Sequence, residues 1–543
     1  MKKIPALLLM AAFGLLSARS VAQSKSPRAD TCACAQLARM HIPQATITTT
    51  ECVPAGTFKP PGNGPAISDL PAFCRVAAVL QPSPDSHIRI ELWLPETGWN
   101  ERFLGTGTGG GAGYINYGSL ATGLRKGFAT TNTDMGTFPG ANELAGHPEK
   151  WTDFGHRATH EMTVAGKAIT EAYYHKSARK AYFSGCSTGG QQALMESQRY
   201  PNDYDGILAG APANNRTHLH TGFIWILRAT NDLPGSTFPK QKLDLITRAV
   251  LNACAGKDGG APGDNFLTNP AACRFDPETL PVCPDGTDDS TCLTRSQITA
   301  LKKIWEGPVN PRTGERIYTP IPLGSENVAA GIDIQQNPAL APNALFYQYK
   351  WAFGKDFDYK TFDFDHDQDE LDALLGPVLN ANDSDLSAFK QNSSKLLLYT
   401  GTADPLVPYQ DALSYYERVM GVQGGLSQTR DFFRFYLIPG MGHCNGGPGL
   451  NDGGDMLTAL IKWREEGIAP QQLTGTAYEG GDAKKGVRFR RPVYPYPLLP
   501  AYKAGDESSP ESYEGVAQPK AKVKEPAARY LKSIKQARTS GTK

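Results

Sequence analysis

The chain has 543 residues, and 55 Lys plus Arg stand against 54 Asp plus Glu for a net charge of +1. That balance gives no global electrostatic handle, so no nucleic-acid partner is expected. With 40% hydrophobic and only 20% charged residues, the chain can bury a large core, which excludes disorder as the dominant state and points to two domains.

Met1-Lys2-Lys3, the apolar run from Ala6 to Leu16 and the small residues Ser20-Val21-Ala22 read as a secretory signal over residues 1–22. The run falls short of the roughly 20 apolar residues of a membrane-spanning helix, and no membrane association is expected. A secreted or periplasmic location follows, where ten cysteines can oxidise. They fall as Cys32, Cys34, Cys52 and Cys74, then Cys186, then Cys254, Cys273, Cys283 and Cys292, then Cys444. If each group of four pairs internally, Cys186 must pair with Cys444. The pairing inside the first group stays open.

Further along, Ser86 to Leu94 alternates as a strand does, and Phe103-Leu104-Gly105 runs into the glycine-rich stretch Gly107 to Gly113, a loop whose amides approach something closely. No Gly-Lys-Ser/Thr follows it, so it is not a phosphate cradle. Apolar residues recur at helical spacing from Arg157 to Tyr174. Ala181-Tyr182-Phe183 reads as a buried strand, Gln191 to Arg199 as a helix and Asp205 to Gly210 as another strand. Lys395 to Tyr399 and Phe432 to Ile438 are further strands, and Met456 to Trp463 is a helix. Strands alternating with helices in both halves predict an α/β fold with a parallel sheet covered on both faces.

Residues 214–391 break this rhythm with four cysteines and many Pro and Gly, and read as an inserted lid domain. The catalytic core is then 23–213 plus 392–503. From residue 504 to 543, Lys, Ser, Pro and Glu dominate, and a disordered basic tail is expected.

Gly185-Cys186-Ser187-Thr188-Gly189 is G-x-S-x-G placed between a predicted strand and a predicted helix, the context in which that pattern lifts a nucleophilic serine above a sheet. Ser187 needs a base and a carboxylate. His443 follows the strand ending at Ile438 and precedes a helix. Asp404 lies just past the strand Lys395 to Tyr399, giving the order Ser, Asp, His. The rival Asp205 stands at the start of a strand, at the wrong edge of the sheet. The bridge Cys186–Cys444 would hold Ser187 and His443 together.

These elements, with Gln198-Arg199-Tyr200-Pro201, Asp203-Tyr204-Asp205-Gly206 and Ala209-Gly210-Ala211-Pro212, resemble the tannase and feruloyl esterase family from about Cys34 to Tyr502. The resemblance implies an α/β-hydrolase core with a large lid, serine esterase chemistry on esters of aromatic acids, and a calcium ion in the lid. In that chemistry two amides receive the developing oxyanion: Thr188 supplies one, and Gly109 or Gly110 the other. The implied calcium ligands are Asp258 and Asp264 with the carbonyls of Gly260 and Phe266. Ala255, however, stands where the family pattern has its first aspartate, and the loop is longer than the pattern. The family's Cys-Pro-Tyr-Pro motif reads Tyr494-Pro495-Tyr496-Pro497 here, with no cysteine after Cys444, which predicts a looser C-terminal end.

The expected function is therefore hydrolysis of feruloyl, galloyl or related benzoyl esters through an acyl-enzyme, with a small aromatic ester as the only partner and no organic cofactor. The alternative is a non-catalytic protein whose lid captures aromatic ligands. Phe346, Tyr347, Tyr349, Trp351 and Phe353 are equally readable as an aromatic wall for the substrate and as the core of the lid.

Overall fold

The computed structural model describes residues 33–62, 64–518, 526, 527 and 530. The expected signal segment, Cys32 and most of the expected basic tail lie outside them. Nine strands form one sheet: β1 (Ala45–Val53), β2 (Phe73–Leu80), β3 (Ile88–Pro95), β4 (Arg102–Thr106), β5 (Ala129–Thr133), β6 (Lys180–Cys186), β7 (Gly206–Gly210), β8 (Lys395–Gly401) and β9 (Phe433–Ile438). Their spatial order is β1-β2-β3-β5-β4-β6-β7-β8-β9. The six strands from β5 to β9 run parallel, whereas β1, β2, β3 and β5 pair antiparallel. The expectation of a parallel sheet thus holds for the half that carries the chemistry, and the antiparallel half is a correction to it.

The parallel strands are buried because helices cover both faces, with β7, β8 and β9 mostly apolar and β5, Ala-Thr-Thr-Asn-Thr, buried though polar. Burial in β9 is complete over all six residues, and Leu396, Leu397 and Leu398 of β8 are inaccessible. On one face α1 (Ala158–Tyr174) and α2 (Thr188–Arg199) pack with Met162, Ile169, Leu194 and Met195 against Phe103, Phe183 and Ile207. On the other, the helix Met456–Glu466 sets Leu460 and Trp463 against Tyr182 and Leu397. Register aligns the carboxyl ends of the strands: Thr106 pairs with Ser184, Cys186 with Gly210, Tyr399 with Gly210 and Gly401 with Ile438. In open α/β sheets this edge is where ligands bind.

The insertion opens with α3 (Arg216–Asn231) and carries a helix at Lys240–Cys254, another at Arg295–Glu306, α4 (Tyr347–Phe353) and the helix Asp367–Leu379. Its end differs from the expected boundary at 391. Ala381, Leu386 and Phe389 are packed into the sheet core, so the lid closes near Leu379. Phe346, Tyr347, Tyr349 and Trp351 are between 0% and 4% exposed and pack on Phe154, Phe223 and Leu371. With Phe353 partly buried beside them, they pack as core of the inserted segment.

The C-terminal segment is also better ordered than expected. β10 (Leu473–Tyr478) pairs with β11 (Val487–Val493), and β12 (Leu498–Tyr502) with β13 (Tyr513–Ala517). Strand β13 lies inside the stretch expected to be disordered, and its Tyr513 is buried. Farther on, Tyr530 packs edge-on to His218 of the lid. Burial of a few aromatics outweighs a polar average composition. No helix among the described residues is long and apolar enough to cross a membrane.

Candidate active site

Strand β6 delivers Ser187 at a sharp turn into α2. The serine sits at φ 63° and ψ −120°, a conformation L-residues rarely adopt and one that lifts the side chain off the sheet edge. Hydrogen bonds hold it there: its amide donates to Gly210 O at 3.0 Å, and its carbonyl accepts from Ala213 N at 3.1 Å and Gln191 N at 3.0 Å. The glycine loop crosses directly over this turn. A Cβ on Gly107 would come within 2.5 Å of Gly189 Cα, so only glycine allows the loop and the elbow to touch.

Asp404 and His443 stand on the loops after β8 and β9. These loops are pressed together, since a Cβ on Gly401 would fall 2.0 Å from the Met441 carbonyl oxygen. Asp404 is completely buried, and its Oδ2 lies 2.8 Å from His443 Nδ1. Burial pulls the imidazole pKa down, but the charge of Asp404 and this hydrogen bond outweigh it, leaving His443 above its ordinary value of 6.5. Cys186 and Cys444 are joined with Cα atoms 5.9 Å apart, placing Ser187 and His443 each one residue from a shared crosslink. Cys34–Cys74, Cys254–Cys273 and Cys283–Cys292 are also joined, and Cys52 is oxidised too. The rival Asp205 lies at the opposite sheet edge, held by Lys180 Nζ at 2.7 Å and Arg464 at 2.9 Å.

Beside Ser187, the start of α2 and the glycine loop are tied together: the Thr188 hydroxyl donates to Gly110 O at 2.7 Å. The Thr108 amide is committed to Gln192 Oε1 at 2.9 Å, and the amides of Gly107, Ala112 and Gly113 to backbone carbonyls, so Thr108 is not the donor of that loop. One residue in this region was not singled out from sequence: Arg216, whose guanidinium reaches both Thr188 and Gly110. Its only sequence signal is its place at the start of the insertion.

The residues expected to hold calcium do not fit that ion. Asp264 is engaged on both oxygens by Arg491, Nη1 to Oδ2 at 2.7 Å and Nη2 to Oδ1 at 2.6 Å. Asp258 accepts from the amides of Gly260 at 3.1 Å and Asn269 at 3.0 Å, and Ala255 offers no side-chain oxygen. Calcium takes six to eight oxygens, and here a guanidinium already neutralises the loop. That guanidinium is itself boxed by Phe266, Phe489 and Tyr513 at 5.3, 4.5 and 4.7 Å. A second acidic group, His160, Glu196 and Asp203, has ligand atoms within 4.8 Å of one another. There burial and the neighbouring Asp203 charge push the Glu196 carboxyl well above its usual range.

Comparison with known proteins places the chain in a family. The family model described as tannase and feruloyl esterase matches residues 74–516. An uncharacterised esterase of Xanthomonas campestris pv. campestris is 37% identical over 513 residues, covering 86% of this chain and 88% of that protein. Feruloyl esterase C of Talaromyces stipitatus is 32% identical over 497 residues, covering 86% and 91%. The crystal structure of feruloyl esterase B from Aspergillus oryzae superposes with a TM-score of 0.82 at 27% identity, covering 89% of this chain and 99% of that one.

Proposed function

The chain belongs to the tannase and feruloyl esterase family of carboxylic ester hydrolases, and from that premise we propose that Ser187, Asp404 and His443 cleave feruloyl, galloyl or related benzoyl esters through an acyl-enzyme. The observation that carries this reading is the crosslink Cys186–Cys444, which constrains nucleophile and base to each other while Asp404 orients the imidazole.

In this reading His443 Nε2 takes the Ser187 proton as Oγ attacks the ester carbonyl, and the amides of Thr188 and of Gly109 or Gly110 receive the oxyanion. His443 then gives the proton to the departing alcohol. Water, deprotonated by the same imidazole, attacks the acyl group and frees the aromatic acid. The disulfides support a secreted or periplasmic site of action. A silent ligand-binding protein would have no use for a buried carboxylate aligned on a histidine beside a strained serine.

The test is a hydrolysis panel of methyl ferulate, methyl gallate, methyl protocatechuate and monoesters of terephthalate. Turnover of at least one by the native chain, and its loss in Ser187→Ala with the fold intact, is the expected result. A Ser187→Ala protein that keeps most of its turnover would refute the assignment.

A further inference from the structure

The first residue of α3 carries a charge that its surroundings do not neutralise. Arg216 is 2% exposed, and its four side-chain hydrogen bonds all end on neutral oxygens. Nη1 and Nη2 each reach Thr188 Oγ1 at 3.1 Å, Nη2 reaches Gly110 O at 3.3 Å, and Nη2 also meets the Tyr347 hydroxyl. The ring of Phe154 lies 4.8 Å from the guanidinium carbon, and Nε is buried with no partner. Among the described residues no carboxylate pairs with it. A desolvated cation held only by dipoles and ring faces is costly to fold, so its place beside the candidate oxyanion amides calls for a functional explanation.

We propose that Arg216 is a positioning residue for ester hydrolysis. This rests on the Ser187 reading above. Thr188 brings one candidate oxyanion amide from the start of α2, and Gly109 or Gly110 the other from the glycine loop. The Thr188 hydroxyl donates to Gly110 O while accepting from the Arg216 fork, and the same fork donates to Gly110 O directly. Three groups thus fix one spacing, the one that separates the two oxyanion donors. The unpaired charge behind them also favours a negative oxygen over a neutral carbonyl, and its field is little screened in a dry site. Arg216 and Tyr347 both belong to the lid, so the oxyanion pocket is completed only when the lid is seated on the core.

The experiment compares Arg216→Met, Arg216→Lys and Ser187→Ala, with native melting curves required of each. Turnover of methyl ferulate is measured beside inhibition by an arylboronic acid, which adds to the serine as a tetrahedral anion, and by the free product acid. Arg216→Met should lower kcat by about 10- to 100-fold, somewhat less than direct loss of an oxyanion donor, with KM changed by about threefold or less. Boronate affinity should fall by the same factor as kcat/KM while product affinity stays put. Arg216→Lys, which keeps the charge and loses the fork, should fall between. Unchanged kcat in a folded Arg216→Met, or equal losses of boronate and product affinity, would overturn the proposal. Should Arg216→Met not fold, a folded Arg216→Lys with native kcat and native boronate affinity would overturn it as well. A Ser187→Ala protein that still turns over condemns the underlying reading instead. An inactive Ser187→Ala beside a fully active Arg216→Met condemns this inference alone.

Discussion

Asp404 meets His443 with one oxygen only. Oδ2 lies 2.8 Å from the imidazole Nδ1, while Oδ1 is occupied by the amides of Leu406 and Val407, each at 2.9 Å. The two backbone amides fix which oxygen faces the histidine.

Asp404→Asn should therefore do more than remove a charge. The backbone amides demand an acceptor, so the asparagine carbonyl takes the Oδ1 place and its NH₂ turns toward His443. Nδ1 must then accept, which puts the ring proton on Nε2, where the Ser187 proton has to go. A fall in kcat on the order of 10⁴ is expected, as when the aspartate of other serine triads is amidated. A loss below about tenfold in steady-state kinetics would assign the role to another carboxylate.

His443 must be neutral to act as a base, and its pKa is raised above 6.5 by Asp404. As pH falls through that raised value the imidazole protonates and kcat/KM declines, so the acid limb of the profile inflects above 6.5. Asp404→Asn removes the charge that raises it and should move the inflection down. A native inflection at or below 6.5 would contradict the coupling.

Removing the Cys186–Cys444 bridge by paired alanines should cut turnover on the order of tenfold or more, because a small misplacement of base from nucleophile is costly in rate. The crosslink spans 258 residues, and the chain-entropy model assigns it roughly 5 kcal/mol. In a protein of this size that lowers Tm by about 5 °C, leaving a folded but slow enzyme at room temperature. Peptide mapping of the oxidised protein that finds both thiols free would remove the premise.

For the lid loop, Arg491 in place of a metal ion predicts melting curves that superimpose with excess calcium and with chelator, on protein first shown to be metal-free. Arg491→Met leaves Asp264 buried and unpaired, since the side chains are only 3% and 4% exposed. Breaking such a pair costs about 3–5 kcal/mol, and the melting temperature should drop accordingly. A clear rise of the native Tm with calcium would mean the ion displaces the guanidinium.

Much of this site was readable from local pattern. The turn at Ser187 is marked by glycines at fixed offsets between a short apolar strand and a helix, and Asp404 and His443 announce themselves by following β8 and β9. The pairing of Cys186 with Cys444 came from arithmetic on cysteine positions. What escaped was set by contacts distant in sequence. β1 and β2 are antiparallel strands whose partners are chosen by register and not by a motif. β13 is short and polar, and becomes a strand only because β12 and Arg491 wait for Tyr513. Arg216 and Arg491 look like any arginine until the lid is placed, since what distinguishes them is burial, and burial belongs to the fold.

Asp264 and Arg491 stand 227 residues apart in the chain. The same lid loop also accepts Tyr502 N at Gly259 O and meets Glu507 and Gln518 through Gly263 and Asn269. During synthesis, then, the loop emerges with a carboxylate whose counter-charge follows 227 residues later. The lid loop is thus fastened by residues that follow Ser187, Asp404 and His443 in the chain. A chain cut short before Arg491 would keep Ser187, Asp404 and His443 and lose the counter-charge of Asp264, so cap and triad are separable by truncation.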